Sequence, residues 1–94
     1  MSDTPLIREI SAAREEFARG IRAGFADALC TANGWQIRWQ SASATIELSP
    51  LPDLSIASLR LPRQRCVITL TDGSAPDRQA LLTRLDRYQQ RGGG

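Results

Sequence analysis

The amino-acid sequence contains no histidine among its 94 residues. This absence excludes Ser-His-Asp and Cys-His arrangements for nucleophilic catalysis, and it removes the side chain most often used for acid–base steps near neutral pH. The ten acidic residues are scattered along the chain and form no evident catalytic pair. We therefore expect a protein that is not an enzyme and uses no cofactor. Catalysis by Cys66 or by a carboxylate is the weakest hypothesis.

Cysteine is scarce, since only Cys30 and Cys66 occur. Two thiols without a CxxC spacing cannot alone supply the four ligands of a zinc site. No secretion signal opens the sequence, so we expect the reducing cytoplasm, where buried free thiols are more common than a disulfide. The nearest approach to an acidic metal site is Glu47 with Asp72 and Asp77. Turn and capping roles explain the two aspartates, so no metal is expected.

Long apolar runs are also absent, and none approaches the ~20 residues of a membrane-spanning helix, so no membrane partner is expected. Lysine is missing too: all twelve basic residues are arginine, and the net charge is +2. The most basic part is residues 62–94, with six arginines and three acids. Codon bias in a GC-rich genome explains this composition without any function, whereas the planar guanidinium also suits phosphate or carboxylate binding.

What the chain does contain is an ordinary globular composition, with 41% hydrophobic and 23% charged residues. A length of 94 residues fits a single domain over residues 1–94, and we expect residues 92–94 to be a flexible tail. We predict the α+β class, with an antiparallel meander of three to four strands flanked by an N-terminal and a C-terminal helix. Short links between successive strands favour antiparallel pairing.

The N-terminal helix is predicted over residues 5–29. Apolar residues recur there at steps of three or four, as on one helical face; they are Leu6, Ile10, Ala13, Phe17, Ile21, Phe25 and Ala28. Gly20 and Gly24 predict a bend, or a close approach by a strand. A helix of this length would span about 37 Å, whereas a six-residue strand spans about 20 Å. The overhang suggests packing against a second copy of the chain.

Strands are predicted over residues 35–40, 44–49, 55–61 and 66–71. Apolar and polar residues alternate strictly in the first of them, as in a half-buried strand. Prolines in residues 50–53 and 62–65 predict turns between the later strands, because proline cannot donate to a ladder. Asn33-Gly34 is a strong hairpin signal, which leaves open an alternative strand at residues 28–32 paired with the first.

The C-terminal helix is predicted over residues 75–90, with Ser74 as N-cap and Asp77 completing an S-x-x-D capping box. With the first strand set aside, this order resembles the α-β-β-β-α layout of double-stranded-RNA-binding domains in topology only. That family uses a lysine-rich start to its final helix, whereas residues 74–77 are Ser-Ala-Pro-Asp. We therefore do not assign the chain to that family.

Two sets of residues are candidates for binding. Trp35 and Trp39 form an aromatic face on one strand, which serves either as core or, less often, as a stacking platform for bases or sugars. The second set is basic, with two arginines at the predicted 62–65 turn and three near the end of the last helix; it comprises Arg63, Arg65, Arg84, Arg87 and Arg91. Such a patch suits a phosphate backbone or an acidic protein surface if the turn and the helix end are neighbours. Otherwise it is a solvated rim that complements the helix dipole.

The leading functional hypothesis is a non-catalytic protein–protein interaction or assembly module that self-associates. It is motivated by the over-long first helix, the two tryptophans and the lack of a catalytic set. The alternative is a weak RNA- or DNA-binding module that uses the arginine patch. The expected partner is accordingly a protein or a second copy, with nucleic acid as the alternative.

Overall fold

The computed structural model describes residues 5–89, and these form a five-stranded antiparallel sheet and two helices. The elements are β1 (Leu6–Ile10), α1 (Arg14–Gly24), β2 (Leu29–Cys30), β3 (Gly34–Trp39), β4 (Ala42–Ile56), β5 (Leu59–Asp72) and α2 (Ala75–Gln89). The strands lie in the order β1-β5-β4-β3-β2, and all neighbours are antiparallel. The α+β class is confirmed. Because a strand precedes the first helix, the layout is not that of a double-stranded-RNA-binding domain.

The prediction of a helix over residues 5–29 is wrong at both ends. Leu6–Ile10 is a strand that pairs with β5, with Leu6 opposite Ile68. Leu6 and Ile10 are four residues apart, a spacing that fits one helical face and one strand face equally well. Only the long-range pairing with β5 distinguishes a strand from a helix in this segment. The remaining helix has 11 residues and spans about 16 Å, so the overhang that suggested a second copy does not exist.

Helix α1 lies directly against α2 at its two glycines. A Cβ atom at Gly20 would lie 2.7 Å from the backbone oxygen of Tyr88, and one at Gly24 would lie 2.8 Å from the Tyr88 ring. The predicted close approach at these glycines therefore exists, but a helix makes it rather than a strand. Gly24 also ends α1, with Phe25 as its C-cap.

The hairpin alternative at Asn33-Gly34 is confirmed in a short form. Leu29–Cys30 is a two-residue strand, with Leu29 opposite Gln36 on β3. Gly34 allows β4 to approach, because a Cβ there would lie 1.8 Å from the backbone oxygen of Ile46. Glycine is needed here for space rather than for an unusual φ.

Strands β4 and β5 form one long hairpin where three shorter strands were predicted. The predicted turns at residues 50–53 and 62–65 are wrong, since both segments are strand, and the chain reverses at Ala57-Ser58. At about 3.4 Å per residue, the 15 residues of β4 reach roughly the full 46 Å length of the molecule. Prolines are tolerated there because this part of the hairpin has no outer neighbours.

The core lies between the helices and one face of the sheet. Phe17 and Ile21 of α1 and Leu81 and Leu85 of α2 are buried there. They cover the inner face of the sheet, whose buried members include Trp35, Ile37, Ala44, Ile46, Leu48, Cys66 and Ile68. Helix α2 matches its prediction at its start, and its last predicted residue, Gln90, lies outside the described residues, as do residues 91–94.

Candidate functional site

The outer half of the β4–β5 hairpin extends past the rest of the sheet. Strand β3 pairs with β4 only as far as Glu47, and β1 pairs with β5 only from Gln64 onward. Residues 51–63, which we call the arm, therefore form a two-stranded ribbon. An isolated ribbon of this kind is marginally stable in water unless a further strand or layer packs on it.

One face of the arm is apolar and exposed. Leu54 lies opposite Leu61, and Ile56 lies opposite Leu59. Side chains two apart on a strand share a face, so these two cross-strand pairs stack on the same side. Their relative exposures are 40% for Leu54, 37% for Leu61, 52% for Ile56 and 61% for Leu59. Four adjacent aliphatic side chains in water differ from the singly scattered ones that are normal on a surface.

The apolar face of the arm points away from the helices. On β5 the buried residues Cys66 and Ile68 face the helices, so the intervening positions face outward. Counted back along the same strand, Leu59 and Leu61 belong to the outward set. A register shift on β4 between Leu51 and Leu54 places Leu54 and Ile56 on the outward face as well. The arm's apolar face is thus not an extension of the core.

The edges and the opposite face of the arm are polar or blocked. Pro50 and Pro52 on β4 and Pro62 on β5 lack the N–H groups that an added strand would need. The opposite face carries Ser55 paired across the ribbon with Arg60. The edges of the arm are therefore poorly suited to the addition of a strand, whereas its apolar face is unobstructed within residues 5–89.

The five predicted arginines do not form one patch among the described residues. Arg63 and Arg65 lie within β5 on the outward face, where Arg63 forms an ion pair with Glu9 of β1. Arg84 and Arg87 lie on α2, against the other face of the sheet. Arg91 is outside the described residues. The grouping of Arg63 and Arg65 with the helix end depended on a turn at residues 62–65, and this turn does not exist.

The two tryptophans lie on the helix side but in different environments. Trp35 is buried, and its ring centroid is 5.5 Å from that of Phe17. Trp39 is half-buried, with the Arg84 guanidinium 4.0 Å above its ring. Arg84 also donates from Nε to the backbone oxygen of Gly24 at 2.5 Å, so it caps the end of α1. The core interpretation fits Trp35, while Trp39 borders the surface.

A second group of arginines is brought together by the contact between the helices. Arg19 and Arg22 of α1 and Arg87 of α2 line a cleft of about 430 Å³, whose floor includes Gly20 and Tyr88. A neighbouring cleft of about 430 Å³ lies along α2 beside Trp39 and shares Arg87. Among residues 5–89, no acidic side chain lines either cleft. Sequence reasoning missed Arg19 and Arg22 because only the packing of α1 on α2 places them near Arg87.

The two cysteines are both free. Cys66 is buried beneath the helices, and burial raises the pKa of its thiol to about 11, although the nearby Arg8 guanidinium acts in the opposite direction. Such a thiol is protonated at neutral pH and unreactive. Cys30 is exposed on β2, contrary to the expectation that it is buried. Strands β3 and β4 separate the two, so no disulfide joins them.

The candidate carboxylates have structural roles or stand apart. The side chain of Asp77 accepts hydrogen bonds from the Ser41 hydroxyl at 2.5 Å and the Ser41 backbone N–H at 3.1 Å. These bonds lower the pKa of Asp77 and tie the β3–β4 turn to the start of α2. Ser74 caps the helix as predicted, by accepting from the Asp77 N–H. Within residues 5–89, no three acidic, histidine or cysteine side chains are grouped as metal ligands.

Comparisons with models of known protein families, with curated proteins and with solved structures found no match to this chain. Among the residues described, neither helix has the length and apolar character needed to cross a membrane. Inferences about function therefore depend on the two surfaces described above, the arm and the arginine-lined clefts.

Proposed function

We propose that this protein is a non-catalytic self-association module that dimerises through the apolar face of its arm. The observation that carries the proposal is the exposed cluster of Leu54, Ile56, Leu59 and Leu61, on a ribbon that no other layer covers in the described part of the chain. Covering this cluster removes apolar surface from water and gives the ribbon the second layer that such structures need.

A second copy of the chain is the occupant that best fits this face. The four side chains are all aliphatic, and Arg63, which lies beside them on this face, is already paired with Glu9. The cluster itself therefore carries no charge that would select a partner of opposite charge. An aliphatic face is complementary to itself, and a two-fold axis brings the same patch from both copies together. Two ribbons then pack face to face about 10 Å apart, as sheets do in a sandwich.

The size of the patch predicts a weak dimer. The four side chains expose roughly 300–400 Å² per copy, which is within the range of the largest apolar patch on a typical monomer. A standard interface buries about 800 Å² per partner. Dimerisation through the arm alone therefore belongs to the weak class, and we expect association that depends on concentration.

The test is sedimentation across a roughly hundred-fold concentration series. The double variant Ile56→Thr/Leu59→Thr removes apolar surface and places β-branched side chains, which suit a strand, at both positions. We expect the parent chain to shift from monomer to dimer over the series and this variant to remain monomeric. The matched control, Ser55→Thr/Arg60→Thr, changes the adjacent cross-strand pair on the opposite face and should still dimerise. A parent chain that is monomeric at every concentration would refute the proposal, as would equal dimerisation of the two variants.

A further inference from the structure

The clefts on the helix side carry positive charge that the described part of the protein does not neutralise. Arg8 pairs with Asp86 and Arg63 pairs with Glu9, and within residues 5–89 no ion pair involves Arg19, Arg22 or Arg87. Asp86, which precedes Arg87 in α2, is already held by Arg8 on β1. Three guanidinium groups therefore remain without a carboxylate partner among residues 5–89.

The spacing of these groups is set by the closest contact between the helices. Gly20 and Gly24 allow Tyr88 to lie directly on α1, and this brings Arg87 to the same cleft as Arg19 and Arg22. The arginines thus lie on a rigid frame rather than on loops. A preorganised site of this kind loses less conformational entropy when a ligand binds.

The basic surface continues past a single cleft. Arg87 lines both clefts, and the second one extends along α2 to the half-buried ring of Trp39. Arg84 lies between them with its guanidinium over Trp39 and 5.1 Å from the centroid of Tyr88. The result is a run of four arginines across the two clefts, Arg19, Arg22, Arg84 and Arg87.

From this arrangement we infer that the helix face binds single-stranded nucleic acid, with Arg19, Arg22 and Arg87 contacting successive phosphates. Guanidinium groups match phosphate oxygens in geometry and charge. A basic groove that follows the backbone is one part of the arrangement by which proteins bind single strands without reading their sequence. The rings of Trp39 and Tyr88 pack against Arg84 here, so the proposed contacts are to phosphates rather than to stacked bases. The cleft between α1 and α2 holds only about 430 Å³, which suits one flexible strand better than the broad surface of a duplex. This site is separate from the arm and does not depend on dimerisation.

The first test is a titration with a fluorescently labelled oligothymidylate at two salt concentrations. Three phosphate contacts give a slope of log K against log salt of about −2 for a single strand, so affinity should fall roughly 20-fold between about 50 and 200 mM salt. No binding at the lower salt concentration would overturn the inference. Displacement by a polyglutamate peptide at equal charge would also overturn it, because the clefts would then prefer an acidic protein.

Matched variants locate the binding site. Arg19→Gln/Arg87→Gln removes two of the three proposed contacts, and we expect at least a tenfold loss of affinity and a shallower salt slope. Arg38→Gln/Arg65→Gln makes the same change in net charge on the opposite face of the sheet, and it should bind within twofold of the parent chain. Circular dichroism checks that both variants fold. If the second pair weakens binding as much as the first, the binding surface is not the helix face.

Discussion

The two halves of the β4–β5 hairpin have the same kind of sequence and opposite environments. In the inner half, Ile46 and Ile68 lie opposite each other and are fully buried beneath the helices. In the outer half, Ile56 and Leu59 also lie opposite each other, yet 52% and 61% of their surfaces are exposed. An apolar side chain in this hairpin is therefore not buried simply because it is apolar. Burial depends on whether a second layer is present.

The two halves also differ in the side of the sheet that is apolar. The buried residues of β5 include Cys66 and Ile68, at even positions, whereas the exposed pair Leu59 and Leu61 occupies odd positions. Because side chains alternate along a strand, this change of phase places the second apolar face on the side away from the helices. A longer helix on the same side would not cover it. Within residues 5–89, no layer covers the apolar face of the arm.

The largest expected effect comes from making the same substitution in both halves of β4. Ile46→Thr removes buried carbon and places a hydroxyl among apolar neighbours, and we expect it to lower the free energy of unfolding by about 3 kcal/mol. Ile56→Thr should change it by about 0.5 kcal/mol or less in the monomer, because that side chain is already in water. Urea denaturation at low protein concentration measures both.

A milder substitution keeps this comparison decisive if Ile46→Thr fails to fold. Ile46→Val removes one methylene from the same site and should cost about 1 kcal/mol. If Ile56→Thr destabilises the dilute protein as much as the core variants do, the arm is already covered in the monomer. The comparison between the two halves would then be wrong.

Part of this architecture is predictable from the sequence. Strand β3 and helix α2 follow from local periodicity, and the Ser74 cap follows from its motif. Strand β1 does not, because Leu6 and Ile10 fit either period and only pairing with β5 favours the strand. The arm was missed because its prolines predict turns, whereas edges without neighbours tolerate them. Ala57-Ser58, where the chain reverses, lacks the glycine or asparagine that marks a hairpin.

A smaller effect is expected at this unmarked turn. Ala57 has a φ of 55°, a left-handed conformation that costs a residue with a Cβ about 1–2 kcal/mol. Ala57→Gly should relieve most of this strain and stabilise the arm. Hydrogen exchange of arm amides should then slow several-fold, while amides of the core strands keep their rates.

The neighbouring residue provides a control of opposite sign. Ser58 is not among the residues with positive φ, so Ser58→Gly adds flexibility to the unfolded chain without relieving strain. Arm amides should exchange faster in this variant. If both glycine variants slow exchange equally, turn strain does not limit the stability of the arm.

The candidate sites were less predictable than the fold, for a physical reason. The sequence singles out Arg84 and Arg87 as a basic helix end, but their neighbours in space come from α1, about 65 residues earlier in the sequence. No local pattern links Arg19 to Arg87. Gly20 and Gly24 can be recognised in the sequence as sites of close approach, but the sequence does not indicate that Tyr88 is the residue that packs on them. Contacts between distant segments therefore determine the arginine-lined clefts, whereas the apolar face of the arm comes from one local hairpin.

The smallest expected effect concerns the hydrogen bonds between Asp77 at the start of α2 and Ser41 in the β3–β4 turn. Because these bonds lower the pKa of Asp77 in the folded state, their contribution to stability is present above pH 3.8, the ordinary pKa of an aspartate. This contribution is lost as the pH falls through the lowered pKa.

Asp77→Asn keeps the size of the side chain but removes its charge. We expect a slightly lower melting temperature for the variant at pH 7 and a gap that closes below about pH 4. Asp27→Asn, at an exposed site after α1, controls for the general effect of losing one carboxylate. A gap for Asp77→Asn that is independent of pH would mean that the hydrogen bonds, rather than the charge, join the β3–β4 turn to α2.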